Sequence, residues 1–587
     1  MKLLIHFILF TIFSTISYCS FGQQNDEHWI FGYNFPSNPT IANHVNLLFK
    51  NNELIIGDTL SYLGLPLTGF NNSYTNANGD FLLATNGINI LDFTTTTLVG
   101  SEDFNDSPFH RLYKETGLFN IQGGLILQIG DSLGSDIHII HGKLKATEEG
   151  GIGVIYTKGL YHSVVSNRAD TALSMTTKGE ILQEEDFVRN GLTACKHANG
   201  RDWWIVMPRR ASKMYHIFLL DPLGVRLHHI DTVDTPVPPT DRFTQAVFSP
   251  DGQHYVRNMM RNAPGEQGTI AVFKFDRCTG NLYGQQQFEY PPFSISVGAA
   301  ISPNSRYLYT HDGQFYHQYD LFIEDIEASR RLIAEFDSVS DQGFSTRPYM
   351  MQLAPDGKIY ANTTSGTHFL HVIHQPNEAG IACDFEARGL ELPVWNATIP
   401  SMPNYRLGPV DDSFCDSLEI DNVPLCGWRK DIVDFNVQFT DVSWYEPDTW
   451  HWTFGDGQVS ADTSPVHTYA DTGIYEVCLV VSNVFGSDTM CKNVMIRDSF
   501  SSIIERQSED EIHIFPNPAR HEIQISWGPQ SKYSELKIFD VHGKLMVLDD
   551  VNGQNRSVLD ISKLLAGTYF IRLDGPDNAA TGSFIKN

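Results

Sequence analysis

His197-Ala198-Asn199-Gly200, Ser249-Pro250-Asp251-Gly252, Ser302-Pro303-Asn304-Ser305 and Ala354-Pro355-Asp356-Gly357 are one turn written four times. The steps are 249−197 = 52, 302−249 = 53 and 354−302 = 52 residues. Each turn precedes a β run: 203–207, 254–256, 307–310 and 358–361. A second run follows each, at 215–220, 270–275, 315–319 and 369–374. An Asn-Gly or Asp-Gly turn between alternating strands is a hairpin signal. A repeat of about fifty residues with several strands per copy is the pattern of a propeller blade. An earlier copy is Asn78-Gly79-Asp80 before 81–85, and a weaker one is Gly123-Gly124 before 125–129. Residues 27–406 number 380, and 380/52 is close to seven, so the spacing predicts about seven blades.

Working outward, the block Leu192–Trp204 is the sharpest stretch of the repeat region. Its His197, Arg201 and Asp202 are the candidate ligand-binding residues. The competing reading gives His197 and Asp202 to turn hydrogen bonds and packs Trp203 or Trp204 between blades. The Ser-Pro-Asp-Gly turns resemble those of TolB-like bacterial propellers.

Composition limits the function classes. The formal charge is −28 (41 basic minus 69 acidic residues), which disfavours nucleic acid. Aromatics at 12% with 46 Gly and 28 Pro suit a turn-rich β protein. Lys2, the apolar run 3–16 and Ser20-Phe21-Gly22 form a signal peptide over 1–22, and no later stretch reads as a membrane span. Cys19 follows Tyr18, where a lipobox wants a small residue.

Seven cysteines remain after the signal. Cys478 and Cys491 flank a turn centred on 484.5, from (478+491)/2, and are expected to pair across a hairpin. Cys415 and Cys426 lie close in sequence and are expected to staple a loop; Cys195, Cys278 and Cys383 stay unassigned. His368, His371 and His374 alternate faces on a strand, so no metal site is expected, and no cofactor. Gly130-Asp131-Ser132-Leu133-Gly134 has a nucleophile-elbow pattern, but a β run follows where a helix is required. No catalytic residue is assigned.

Residues 432–497 carry Trp450-His451-Trp452-Thr453-Phe454-Gly455-Asp456-Gly457, His467-Thr468-Tyr469 and Gly473-Ile474-Tyr475. They resemble a PKD domain, which implies an immunoglobulin-like β-sandwich. Trp452 and Phe454 belong in its core and Gly455–Gly457 in a hairpin turn; Asp456 alone is weak support for calcium. Trp444, Tyr445 and Trp450 are candidates for exposure.

The last residues hold Pro516-Asn517-Pro518, Asp540-Val541-His542-Gly543-Lys544 and Ala566-Gly567-Thr568-Tyr569. They resemble the C-terminal sorting domain of Bacteroidetes type IX secretion cargo. The resemblance implies a second small β-sandwich, with Pro516, Asn517, Pro518, Gly543, Lys544, Gly567 and Tyr569 as its sorting motif. The block 192–204 likewise resembles a Bacteroidetes family with a propeller, a PKD domain and a sorting domain in that order.

The expected order is signal peptide 1–22, propeller 23–406, linker 407–431, PKD domain 432–497, linker 498–511 and sorting domain 512–587. The fold class is all-β: a propeller, then two immunoglobulin-like sandwiches. The preferred function is a non-catalytic surface or secreted binding protein, taking a polysaccharide or protein ligand, with type IX machinery as export partner. The alternative is a secreted propeller hydrolase or lyase acting on glycans or lactones.

Overall fold

The computed structural model describes residues 25–497 and 512–586, except 33–43, 61–64, 68, 77, 93, 95, 108–111, 114–116, 119, 131–134, 150–151, 168–171, 239–240, 262–266, 291–296, 528–532, 541–543, 552–553 and 576–578. The signal peptide, the linker 498–511, Ser132 and Gly543 lie outside the described residues.

Up to Asn396 the described residues form seven antiparallel meander sheets of three or four strands, each ordered in space as in sequence, with a two-stranded hairpin (Ser340–Asp341, Phe344–Ser345) between the sixth and the seventh. Two have three strands (His28–Phe31, His44–Lys50, Glu53–Leu60; and Asn72–Thr75, Phe81–Thr85, Ile90–Asp92). Five have four strands, and open at Gly124–Gln128, Thr193–Lys196, Asp241–Phe248, Ala299–Ile301 and Pro348–Leu353. The opening strands of successive sheets touch in order, and the last strand, Phe385–Asn396, packs on the first sheet. This ring is a β-propeller, and its apolar clusters run between neighbouring sheets.

The repeated turn explains itself in hydrogen bonds. Ser249 Oγ accepts from His254 N (2.9 Å), Gln253 N donates to Asp251 Oδ1 (2.9 Å), and Gly252 N donates to Ser249 O (2.8 Å). Ser302, Asn304 and Ser305 repeat the pattern: Tyr307 N donates to Ser302 Oγ (2.8 Å) and Ser305 N to Ser302 O (2.8 Å). The fourth turn residue must enter the left-handed region, at φ 73° for Gly252 and 75° for Gly357, which favours glycine there. Trp203 and Trp204 point to opposite faces of their sheet. Trp203 Nε1 donates to Gln128 O (2.8 Å) in the preceding sheet and Trp204 Nε1 to Arg277 O (2.7 Å) in the next.

Closure uses the chain beyond the seventh sheet. The strand His28–Phe31 runs against Asn72–Thr75, since Thr75 N bonds Asn25 O (3.2 Å) while Asn71 Nδ2 bonds Ile30 O (2.8 Å). Residues 398–406 return beside them: Thr398 Oγ1 donates to Gly69 O (3.0 Å), Ser401 N to Asn71 O (2.9 Å), and Arg406 Nη2 pairs with Asp26 at 2.8 Å.

The PKD sandwich has one sheet of Trp428–Val433, Asn436–Asp441 and Val466–Thr468, and another of Val459–Ser460, Thr449–Thr453, Gly473–Asn483 and Gly486–Ile496. Trp428, Phe439, Trp452 and Phe454 fill it. Its first strand starts inside the stretch 407–431 that reads as linker; Trp428, fully buried 5.6 Å from Trp452, belongs to the core. Cys478 and Cys491 form a disulfide across the hairpin, with Cα atoms 4.1 Å apart. The expected Cys415–Cys426 staple is absent. Cys415 pairs with Cys278 (Cα–Cα 5.6 Å, 137 residues apart), and Cys426 is a buried thiol whose Sγ faces Leu479 O at 3.3 Å. Proximity in sequence misled because Cys426 is carried into the sandwich next to Trp428, away from the loop that holds Cys415.

The sorting domain is a separate compact unit. Its sheets, 513–515/522–526/556–560 and 545–550/535–539/567–574/579–586, enclose Ile523, Ile525, Trp527, Leu536, Ile538, Ile571 and Phe584.

Two outcomes follow from this architecture. In native protein Cys278, Cys415, Cys478 and Cys491 should resist thiol labelling, and Cys278→Ser with Cys415→Ser should cost about 2–4 kcal/mol in denaturant unfolding; labelling of Cys415 in the native protein refutes the pairing. Burial, aided by Asp26 and opposed by Arg406 and Lys50, pushes Glu27 from its usual 4.5 up to about 7. The proton it retains on folding stabilises fully below pH 4.5, and that contribution is lost as pH rises through about 7. Urea unfolding at pH 5 and pH 8 should therefore show about 2 kcal/mol more loss in wild type than in Glu27→Gln.

Candidate functional site

The opening strands meet at the propeller axis, and among the described residues side chains from the returning segment and from two sheets occupy much of that space. Tyr405 Oη donates to Ile126 O (2.7 Å), and its ring lies 5.5 Å from Tyr74 and 5.8 Å from Trp203. Asn404 Nδ2 reaches Pro250 O (2.8 Å). Two glutamines cross from sheet to sheet. Gln122 Nε2 donates to Ala246 O and its Oε1 accepts from Ala246 N, both at 2.7 Å. Gln245 Oε1 accepts from Ala299 N (3.0 Å) and Met351 N (3.1 Å). A cavity of about 70 Å³ lies there against Met402 and Asn404, with Trp444 of the PKD sandwich at its wall.

His197, Arg201 and Asp202 are brought together, but within their own turn. Asn199 N donates to His197 Nδ1 (2.9 Å), Asn199 Nδ2 to Asp202 Oδ2 (2.8 Å), and Arg201 Nε to Asp202 Oδ1 (2.7 Å). The His197 ring packs 5.2 Å from Trp204, and burial pulls its pKa down. The arm after the propeller covers this turn, since Val410 N donates to Ala198 O (2.8 Å). The Arg201 side chain keeps 31% exposure.

The three histidines of the seventh sheet separate as alternation requires. His371 bonds Thr346 O (2.7 Å), His368 pairs with Asp341 (3.0 Å) and His374 with Glu386 (2.9 Å). Among the described residues no cluster of three or more His, Cys, Asp or Glu could hold a metal. Asp456 is engaged by His467 Nε2 (2.8 Å) and Gln458 N (2.9 Å). Trp450 is half-buried, its Nε1 donating to Asp441 (3.0 Å).

A larger hollow lies where the PKD sandwich docks on the first and seventh sheets, a seam that no motif announces. Lys430 pairs with Glu53, Arg429 Nη2 donates to His374 O (2.6 Å) and Gln375 Oε1 (3.0 Å), and Asn52 Nδ2 donates to Pro355 O (2.9 Å). The groove measures about 340 Å³. At its floor Asp356 takes Tyr360 Oη (2.7 Å) and Lys358 N (3.1 Å); burial raises its carboxyl, opposed by Tyr360, Lys358 and Arg429.

In the sorting domain the motif residues brace its start against its last strand. Asn517 Oδ1 accepts from Ile585 N (2.9 Å), and Ala519 N donates to Ile585 O (2.8 Å). Tyr569 Oη donates to Leu565 O (2.9 Å) and Lys544 N to Asp540 Oδ1 (2.9 Å).

Comparison with known proteins agrees with this division. Residues 427–497 match the PKD domain family, and residues 513–587 match the secretion system C-terminal sorting domain. Among curated proteins none matches. A PKD domain from Vibrio anguillarum is similar at 23% identity, covering 13% of this chain and 94% of that one (TM-score 0.13). A protein provisionally named a 6-phosphogluconolactonase, from Bacteroides uniformis, is similar at 10% identity over 64% of this chain and 99% of that one (TM-score 0.35). A Lactobacillus plantarum protein is similar at 12% identity over 64% and 99% (TM-score 0.32). No helix among the described residues is long and apolar enough to cross a membrane. The chain is an all-β protein in which a propeller precedes a PKD domain and a type IX sorting domain, and that last domain places it among proteins exported to the medium or the cell surface.

Proposed function

We propose that this is a non-catalytic binding protein, with propeller and PKD domain acting as one ligand-presenting body and the sorting domain as its export signal. The observation that carries this reading is the filled axis. Catalytic groups from several blades need a shared, water-accessible centre, and pockets for small molecules span roughly 300–1,000 Å³. Residues 398–406, Gln122 and Gln245 leave about 70 Å³ there. The PKD domain, bonded to the propeller through Arg429 and Lys430, then contributes to the binding surface as well as spacing it.

In this reading each of the seven sheets is a blade, and the functional segments are a signal peptide over 1–22, the propeller over 23–406 and the export signal over 512–587. His197 and Asp202 serve the turn; Asp202 is buried, while His197 and Arg201 are both partly open to solvent. The stretch 498–511 is the processing site at which the sorting domain is removed, leaving the mature protein released or held on lipopolysaccharide.

A glycan and protein array probed with the full chain should return a ligand, while lactone and glycosidic substrates should show no turnover. Turnover that disappears in Gln122→Ala, with melting unchanged, would replace this reading with the hydrolase. Deleting 512–587 should strand the protein in the periplasm of a type IX host; medium levels equal to wild type would refute the export role.

A further inference from the structure

We propose that the groove at the propeller–PKD seam binds a uronic-acid residue of an acidic polysaccharide, its carboxylate held by Lys358 and Arg429. The proposal deepens the binding reading and rests on it.

The cationic donors come first. Arg429 is buried, with 5% side-chain exposure, and lines the groove. Its two Nη atoms are used: Nη1 on Asp431 (2.9 Å), Nη2 on His374 O and Gln375. Among the described residues its Nε has no hydrogen-bond partner. A buried guanidinium N–H without an acceptor is costly, and an incoming carboxylate oxygen would remove the cost. Lys358 lines the same groove with 19% side-chain exposure, and among the described residues its one ion pair is a loose 3.8 Å contact to Asp431. Arg429 Nη1 holds the other oxygen of that carboxylate, so Lys358 and Arg429 lie within reach of a single anion.

The groove gathers Lys358, Arg429 and Lys430 against Glu53 and Asp356, and Asp431 pairs with both Lys358 and Arg429, so its charges balance; what is left for an anion is the unsatisfied Arg429 Nε and the loosely held Lys358 ammonium. Its other walls are amphipathic: Leu390, Val372 and Ile432 offer apolar surface, while Glu53 and Asn52 offer oxygens to hydroxyl groups. A volume of about 340 Å³ admits a body of sugar-ring size rather than a bare ion. A carboxylate beside a ring of hydroxyls meets both demands at once.

The test is calorimetry on the full chain, with a galacturonate trisaccharide, the neutral galactose trisaccharide and a peptide with a free C-terminal carboxylate. The uronate should bind at least about tenfold more tightly than the neutral sugar, as a charge-assisted pair implies. Lys358→Gln should weaken it about tenfold. Ile432→Glu, at a position 41% exposed, should abolish it by repulsion while leaving the melting temperature unchanged. Equal binding of the two sugars, preference for the peptide, or uronate binding untouched by both variants overturns the groove assignment. A ligand from the array whose affinity ignores both variants overturns the groove and leaves the binding reading standing; no ligand of any class overturns both.

Discussion

A ring of sheets buries both faces of every member only when the last meets the first, and this protein depends on how it meets that condition. Here the meeting is made in two ways. Phe385–Asn396 packs on the first sheet, and residues 398–406 run back through the centre to Gly69, Asn71 and Asp26. Those central residues bring Ile399 and Tyr405 into apolar clusters on opposite sides of the ring. Closure of the ring and occupation of its axis are therefore made by the same segment.

The PKD domain is held by the same logic. Its entry arm begins at the closing segment, lies along the turn at Ala198, and is pinned to the fifth sheet by Cys278–Cys415. Arg277 Nε donates to Lys196 O (3.0 Å) and its Nη2 reaches Gly408 O, tying two sheets and the arm with one guanidinium. Trp444 then stands at the residual axial cavity, and Arg429 and Lys430 close the seam. On the proposed binding function, such a body would present its ligand surface at fixed geometry, which reduces the ordering cost of binding.

Much of this was legible in the residues, and what was not has a physical reason. The four turns are legible because each satisfies its own hydrogen bonds within about six residues, so a local pattern carries the whole geometry. Cys478 and Cys491 are legible because hairpin symmetry is local too. Cys278–Cys415 spans 137 residues and depends on where the arm lands, which no spacing encodes. The segment Thr398–Arg406, with Pro400 and Pro403, has no strand alternation; only the completed ring decides that it is buried. The seam groove was illegible for the same reason, since Lys358 and Arg429 come from different domains. The block 192–204 stood out because it is dense in His, Arg, Asp and Trp, and that density serves one turn and two sheet interfaces.

The place of the closing segment has a bearing on biogenesis. A chain delivered across a membrane N-terminus first would expose its first sheet early, with Trp29, Phe31, Val45 and Leu47 waiting for partners more than 300 residues away, at Tyr360, Leu392 and Ile399. Ile121 and Phe243 join that cluster earlier, and Tyr360, Leu392 and Ile399 complete it. The propeller is thus a late-locking assembly. Until residue 406 has emerged the closing bonds to Gly69, Asn71 and Asp26 cannot form, so the clock for its maturation is set by the length of chain still to be delivered.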